Sequence, residues 1–119
     1  MKFTDNRPIY KQIIDHFCDQ IINGKWSEEE RIPSVRDIAV KMEVNPNTAI
    51  RAFHELQENG ILYNQRGVGY FVAENALDKV LELKRKEFID QELPCFFRTM
   101  KQLGFTCSEL EELYKKQHE

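Results

Sequence analysis

Apolar side chains recur at helical spacing along the first part of the chain, between a proline and a glycine. Positions three or four residues apart lie on the same side of an α-helix, so this pattern predicts one amphipathic helix. Pro8 suits its first turn, and Gly24 suits its C-terminus. The residues of this apolar stripe are Ile9, Ile13, Phe17, Ile21 and Ile22.

Two short helices joined by a tight turn are predicted next. Ser34 is a typical N-cap, and Asp37 stands at the third helical position, as in a capping box. Asn45 and Pro46 favour a further helix start, because Asn is a preferred cap and Pro loses no hydrogen bond there. Val44 is expected to fill the turn. The expected inward positions are Val35, Ile38, Ala39 and Met42, then Ala49, Ala52, Phe53 and Leu56.

A glycine-rich hairpin is predicted after the third helix. Residues 61–63 and 70–72 have the composition of short strands, and residues 64–69 form the expected tip. Gly67 and Gly69 permit positive φ angles there. Helix, turn, helix and hairpin in this order are typical of a winged helix-turn-helix, which places its second helix in the DNA major groove. The expected fold is therefore mainly α, with a small β-wing and a C-terminal helical segment.

The third helix carries Asn47, Ile50, Arg51 and His54 on the face opposite its apolar stripe. Asn can form two hydrogen bonds with adenine, Arg can form two with guanine, and an aliphatic side chain can contact the thymine methyl group. This composition favours base contacts. The alternative is that these residues form only the hydrated side of a core helix.

Charge is distributed unevenly along the chain. The 119 residues have a net charge of −3, which by itself argues against binding to nucleic acid. Residues 31–72, however, hold five Lys and Arg against four Asp and Glu, a balance of +1, whereas each flank has a balance of −2. We expect Arg36 and Arg66 to contact phosphates, although Arg66 could also be a solvated hairpin residue. A second copy of the chain would double the phosphate contacts.

The remaining chain is predicted to be helical from residue 76 to 103, with an interruption at Pro94. A last short helix follows, capped by Thr106 or Ser108. This segment is too short to enclose a small-molecule pocket of the usual size, and no effector can be named.

The apolar side chains of this segment predict a symmetric dimer, because a small domain offers too little surface to cover them. They could instead fold back onto the chain's own domain. We predict a DNA-binding domain at residues 1–74 and a helical dimerisation segment at residues 75–119. The expected dimerisation residues are Leu77, Leu81, Phe88, Leu93, Phe96, Phe97, Met100, Leu103, Leu110 and Leu113.

Residues 8–73 resemble the DNA-binding domain of the GntR family of bacterial transcription regulators. The family's usual Gly-Asp is replaced here by Glu29-Glu30, and the Arg residues of some members by Pro46 and Ile50. The matching runs are Pro8-Ile9-Tyr10, Gln12-Ile13, Pro33 to Ala39, Val44 to Thr48, Arg51-Ala52, Glu55-Leu56, Gly60 to Leu62, Arg66 to Gly69 and Phe71-Val72. The resemblance implies DNA contacts from Arg36, Asn45, Asn47, Thr48, Arg51, Arg66 and Gly67, and we add Ser34 and Ile50 as candidates.

The tail resembles that of the short YtrA-like branch of this family, through Leu93-Pro94, Phe97, Met100-Lys101 and Leu103-Gly104. In that branch these helices pair two subunits. The resemblance therefore implies a homodimer that binds double-stranded DNA. Such a regulator is most often a repressor, often of a neighbouring transporter operon.

Other chemistry has little support in the sequence. We expect no enzymatic activity, no cofactor and no metal site, because no catalytic or ligand-spacing motif is present. Cys18, Cys95 and Cys107 form no C-x-x-C pair, which favours a reduced, cytoplasmic setting. No apolar run is long enough to span a membrane, and no signal peptide is evident.

The acidic run Glu28 to Glu30 is interpreted as a solvated loop. Cys18 is expected to be a small packed residue. Two alternatives to a DNA-binding repressor remain at this level: a winged helix that binds proteins and has lost DNA binding, and a thiol- or metal-responsive variant of the regulator.

Overall fold

The computed structural model describes residues 7–117. Six α-helices, a two-stranded hairpin and a short π-helical segment follow one another. The elements are α1 (Ile9–Ile22), α2 (Val35–Met42), α3 (Pro46–Glu58), β1 (Leu62–Gln65), β2 (Gly69–Val72), α4 (Ala76–Glu87), the π-helical segment (Phe88–Glu92), α5 (Leu93–Leu103) and α6 (Cys107–Gln117). This order confirms the mainly helical winged helix-turn-helix with C-terminal helices.

One aromatic cluster joins α1, α3 and the hairpin. The rings of Phe17 and Phe53 meet edge to face with centroids 5.2 Å apart. Tyr70 of β2 contacts Phe53 at 4.7 Å, and Trp26 contacts Phe17 at 5.0 Å. Burying these rings against one another fixes the position of α3 relative to α1, because each ring removes a large apolar area from water.

The apolar stripe of α1 is buried from Ile13 to Ile21 and exposed at its two end residues. Ile9 and Ile22, at the two ends of the predicted stripe, are 44% and 42% exposed. They lie in the terminal turns, and Ile14 and Cys18 are buried in the middle of the helix instead. Cys18 is thus the packed residue that its type suggested.

Side-chain caps mark the starts of α2 and α3, as the sequence predicts. The Ser34 hydroxyl accepts a hydrogen bond from the Asp37 amide at 3.1 Å, and the Asp37 carboxylate accepts one from the Ser34 amide at 3.3 Å. The Asn45 side chain accepts from the Asn47 amide at 2.8 Å, with Pro46 first in α3. The turn between the helices contains Glu43 with φ of +56°.

The wing is a hairpin with a shorter tip than residues 64–69. Asn64 pairs with Tyr70 and Gln65 pairs with Gly69, so the strands extend into the region expected to be tip. The turn is residues 66–68, closed by a hydrogen bond of 2.9 Å from the Val68 amide to the Gln65 carbonyl. Asn64 and Gln65 are polar and exposed, which is why they resembled turn residues.

The acidic run is an exposed loop, as the sequence predicts, and it is also hydrogen-bonded to the wing. The Glu29 amide donates to the Val72 carbonyl at 2.8 Å, and the Val72 amide donates to the Glu30 carbonyl at 2.9 Å. The Glu28 carboxylate accepts from the Asn75 amide at 2.9 Å. Arg31 then forms a bridge with Phe71, so this stretch lies along the free edge of β2.

The chain divides into two compact units, the first ending at Leu83 and the second beginning at Lys84. This division lies later than the expected one after residue 74. The reason is that Ala76 and Val80 of α4 are fully buried in the core of the first unit. Leu77 and Leu81, expected in the dimerisation segment, therefore belong to the first unit.

The second unit has no fully buried side chain among residues 84–117. Pro94 lies in the first turn of α5, directly after the π-helical segment, so the interruption predicted there is present. Gly104 ends α5 with φ of +75°. Thr106 rather than Ser108 caps α6, through a reciprocal pair of hydrogen bonds with Glu109. Within the described chain, no helix has both the length and the apolarity needed to cross a membrane.

Candidate nucleic-acid interface

Helix α3 exposes one face and buries the other, as its residue pattern predicts. Ala49, Ala52, Phe53 and Leu56 are fully buried. Asn47, Ile50, Arg51 and His54 are exposed, with Ile50 at 37%. The exposed face begins at the N-terminus of α3, which is the end of a recognition helix that contacts base edges.

The residues that cap the two helices also belong to the expected DNA-contacting set. The Ser34 hydroxyl and the Asn45 side-chain oxygen already accept hydrogen bonds from α2 and α3. The Asn45 amide nitrogen keeps donors that can bind a phosphate oxygen. Thr48 is half-buried, so its contribution to any contact surface is small.

Arg51 is held by a residue of α1. Its guanidinium carbon lies over the Tyr10 ring, 3.8 Å from the ring centroid, which is a cation–π contact. Its Nη2 atom also donates a hydrogen bond of 3.1 Å to the Tyr10 hydroxyl. Tyr10 was among the residues that carry the family resemblance, but no periodic pattern links two positions 41 residues apart.

The wing presents Arg66, Gly67 and Val68 at its exposed tip. Gly67 has φ of +80°, a conformation that side chains disfavour, so the backbone there is bare. Behind the tip, a Cβ atom on Gly69 would lie 3.1 Å from the Arg31 Nε atom. The Arg31 side chain thus lies against the wing behind its tip, a position that sequence reasoning missed because it is set by strand pairing with Phe71.

Among residues 7–117, no three His, Cys, Asp or Glu side chains lie close enough together to hold a metal ion. Cys18 is buried, and Cys95 and Cys107 are exposed free thiols. The arrangement on α3 and the wing offers hydrogen-bond donors and positive charge, which is the chemistry of a nucleic-acid-binding surface.

The winged helix-turn-helix with an exposed, polar recognition helix defines a DNA-binding protein of the bacterial regulator type. Residues 9–72 match the family model described as bacterial regulatory proteins, gntR family. This chain belongs to the GntR family and is a non-enzymatic, DNA-binding transcriptional regulator.

Individual relatives place it near the short-type members. It is 38% identical over 111 residues to the uncharacterised HTH-type transcriptional regulator YhcF of Bacillus subtilis (strain 168), covering 93% of this chain and 90% of YhcF. It is 38% identical over 77 residues to the HTH-type transcriptional repressor YtrA of the same organism, covering 65% of this chain and 59% of YtrA.

The fold has a counterpart among solved structures. A GntR-family transcriptional regulator from Bacteroides thetaiotaomicron aligns with a TM-score of 0.80 and 41% identity. The alignment covers 92% of this chain and 95% of that one.

Proposed function

We propose that this chain is a dimeric repressor that recognises a two-fold operator. By resemblance to the short branch of the family, in which the regulated genes are often a neighbouring transporter operon, we propose such an operon as its target. The observation that carries the proposal is the exposed start of α3, where Asn47, Ile50 and Arg51 stand clear of a fully buried opposite face. A helix used only for packing has no need of this composition. In the DNA major groove, Asn47 and Ile50 meet base edges of matching chemistry.

The residues of the proposed interface fall into three groups. Asn47 and Ile50 read base edges, the amide through hydrogen bonds and the aliphatic side chain through a thymine methyl group. The wing tip approaches the backbone or the minor groove through Arg66 and the bare Gly67. The residues that position the protein on the phosphates are Ser34, Arg36 and Asn45, with at most a small contribution from the half-buried Thr48.

Dimerisation follows from the apolar surface of the second unit. Phe96 and Phe97 of α5 are 50% and 49% exposed, and Leu103 is 68% exposed. An open cleft of about 570 Å³ lies between α5 and α6, lined by Phe96, Leu110 and Leu113 among others. A second copy that covers these side chains would remove them from water and present two reading helices to a symmetric site.

Repression needs only occupancy of the operator, which excludes RNA polymerase from the promoter. The name of the relative YtrA describes a repressor, and this supports the same direction of control here. A regulator of this kind acts where the chromosome is, in the bacterial cytoplasm.

The test is a titration of the protein against duplex DNA from upstream of its own gene, with a scrambled duplex as control. Salt concentration is varied, because phosphate contacts release counterions and affinity falls as salt rises. Asn47→Ala is compared with Asn59→Ala, a matched change at the opposite end of α3. We expect Asn47→Ala alone to weaken upstream binding, by about tenfold. Equal affinity of the wild type for both duplexes would contradict the proposal.

A further inference from the structure

We infer that Tyr10 is a positioning residue for DNA binding, which holds Arg51 so that its guanidinium binds a backbone phosphate and not a base edge. The inference rests on the proposed function, since it assigns a role within the same interface. It departs from the expectation that Arg51 reads guanine. The observations that carry it are the two contacts between α1 and α3 made by this pair.

The two contacts together restrain the guanidinium in position and direction. The 3.8 Å contact places the guanidinium carbon over the Tyr10 ring, and the 3.1 Å hydrogen bond from Nη2 to the hydroxyl restrains the direction of the group. Arg51 remains exposed to solvent while it is held in this way. A charged group that is oriented before binding loses less conformational freedom when its ligand arrives.

The next turn of α3 shows which side of the helix this is. Glu55, four residues after Arg51, forms an ion pair of 3.5 Å with Lys11 of α1. Residues four apart lie on the same side of a helix, so Arg51 and Glu55 form the edge of α3 that faces α1. Arg51 therefore flanks the exposed face at its α1 side. Asn47, one turn earlier on the same side, and Ile50 remain the base-reading candidates, because they lie nearer the N-terminal end of α3.

Charge distinguishes the two cross-helix contacts. Lys11 is paired with a carboxylate, whereas Arg51 is paired with an uncharged phenol. The Tyr10–Arg51 pair thus retains a full positive charge at the surface. Phosphate contacts need such a charge, because it is what displaces counterions from DNA.

The donors left on the pair match a phosphate. The bond to Tyr10 uses one of the five guanidinium N–H groups, so the other four remain as donors. The Tyr10 hydroxyl accepts from Arg51 and keeps its own proton to donate. Phosphate oxygens can accept several such bonds at once. Reaching into the groove for a base would require Arg51 to leave the ring and lose both contacts.

The test measures binding to the upstream duplex and to the scrambled duplex over a series of salt concentrations. Arg51→Gln is expected to lower the affinity for both duplexes by a similar factor, about threefold to tenfold. It should also reduce the magnitude of the slope of log affinity against log salt by about 1. Lys79→Gln, which removes a charge that lies beside Gly60 at the far end of α3, is the matched control and should leave the slope unchanged.

Tyr10 is tested by its own variants. Tyr10→Leu should lower the affinity for both duplexes, but by less than Arg51→Gln does. Tyr10→Phe should retain most of the affinity that Tyr10→Leu loses, because phenylalanine keeps the aromatic ring. The double variant with Arg51→Gln and Tyr10→Leu should bind both duplexes with the same affinity as Arg51→Gln alone. Circular dichroism checks that each variant is folded. If a Tyr10 variant does not fold, the Arg51→Gln measurement still tests whether Arg51 binds a phosphate.

Three outcomes would overturn the inference. A loss by Arg51→Gln on the upstream duplex alone, with an unchanged salt slope, would make Arg51 a base reader. Additive losses from Tyr10→Leu and Arg51→Gln would show that Tyr10 does not act through Arg51. Failure of the wild type to bind either duplex would overturn the proposed function as well. The first two outcomes differ from it because in them the wild type still binds DNA.

Discussion

The Tyr63 hydroxyl donates a hydrogen bond of 2.6 Å to the Glu29 carboxylate, joining the first strand of the wing to the loop before α2. Glu29 has φ of +65°, a left-handed conformation that costs a non-glycine residue free energy. The GntR family usually has Gly at this position. The chain thus combines a strained backbone with a side-chain contact that a glycine could not make.

Replacing Glu29 by Gly should therefore have two opposing effects. In the Tyr63→Phe background, where the hydrogen bond is already lost, Glu29→Gly should stabilise the protein by about 0.5–1 kcal/mol through relief of the left-handed conformation. In the wild-type background the gain should be smaller, since the hydrogen bond is lost at the same time. Urea denaturation of the four proteins measures both effects. A larger gain in the wild-type background would contradict this account.

The same contact predicts an alkaline titration. The hydrogen bond to Glu29, followed by partial desolvation and the negative charge of Glu29, raises the pKa of Tyr63 above its ordinary value of 10.0. Because the folded-state pKa is the higher one, the contribution to stability is full below pH 10 and is lost as pH rises through the folded-state pKa. Phenolate absorbance should show that Glu29→Gln lowers the pKa of Tyr63. No change in the titration would exclude the contact in solution.

Acid conditions should weaken the first unit through His16. Burial, followed by the positive charge of Lys41, lowers the pKa of His16 below 6.5, while Asp19 opposes the shift. Because the folded-state pKa is the lower one, this contribution is full above pH 6.5 and is lost as pH falls through the folded-state pKa.

The measurement for His16 is the urea midpoint between pH 7.5 and pH 5, compared with His16→Gln. The wild type should lose more stability on acidification than the variant. Parallel loss in both proteins would assign the pH dependence to other groups.

The capping box of α2 separates stability from DNA binding. Ser34→Ala and Asp37→Ala each break the reciprocal pair and should each lower the free energy of unfolding by about 1 kcal/mol. If Ser34 also contacts a phosphate, only its variant should weaken DNA binding under conditions where both proteins are folded. Equal weakening by both variants would indicate that the box acts on binding through α2 alone.

The apolar surface of α5 predicts the oligomeric state. Phe97→Asp should convert the dimer into a monomer, because a charge would be placed in the proposed interface. Val40→Asp is the matched control, since Val40 is 73% exposed on α2 of the first unit. Sedimentation equilibrium gives the mass of each protein. A wild type with the mass of one chain at all concentrations would remove the dimer from the account.

Much of the fold and of the exposed recognition face could be predicted, because local signals specify them. The N-caps Ser34 and Asn45 and the helical spacing of Ala49, Phe53 and Leu56 lie within single elements. Each signal is complete within a few residues. The exposure of α3 toward solvent follows directly from its own pattern.

The parts that sequence reasoning missed depend on contacts between distant positions. Tyr63 and Glu29 are 34 residues apart, and Asn75 and Glu28 are 47 apart. Charge runs are usually solvated, and nothing local marks this one as an edge of the wing. The later division of the chain at Leu83 has a similar cause, since the burial of Ala76 depends on the core it meets and not on its neighbours in sequence.

The most direct test of the central claim is selection of bound sequences from a random duplex library. The account predicts an enriched two-fold consensus, whose half-sites are separated by about one helical turn or a multiple of it. With Asn47→Ala, preference should relax at one symmetric pair of positions while the rest of the consensus remains. No enrichment over the starting library, or a consensus unchanged by Asn47→Ala, would contradict sequence recognition by α3.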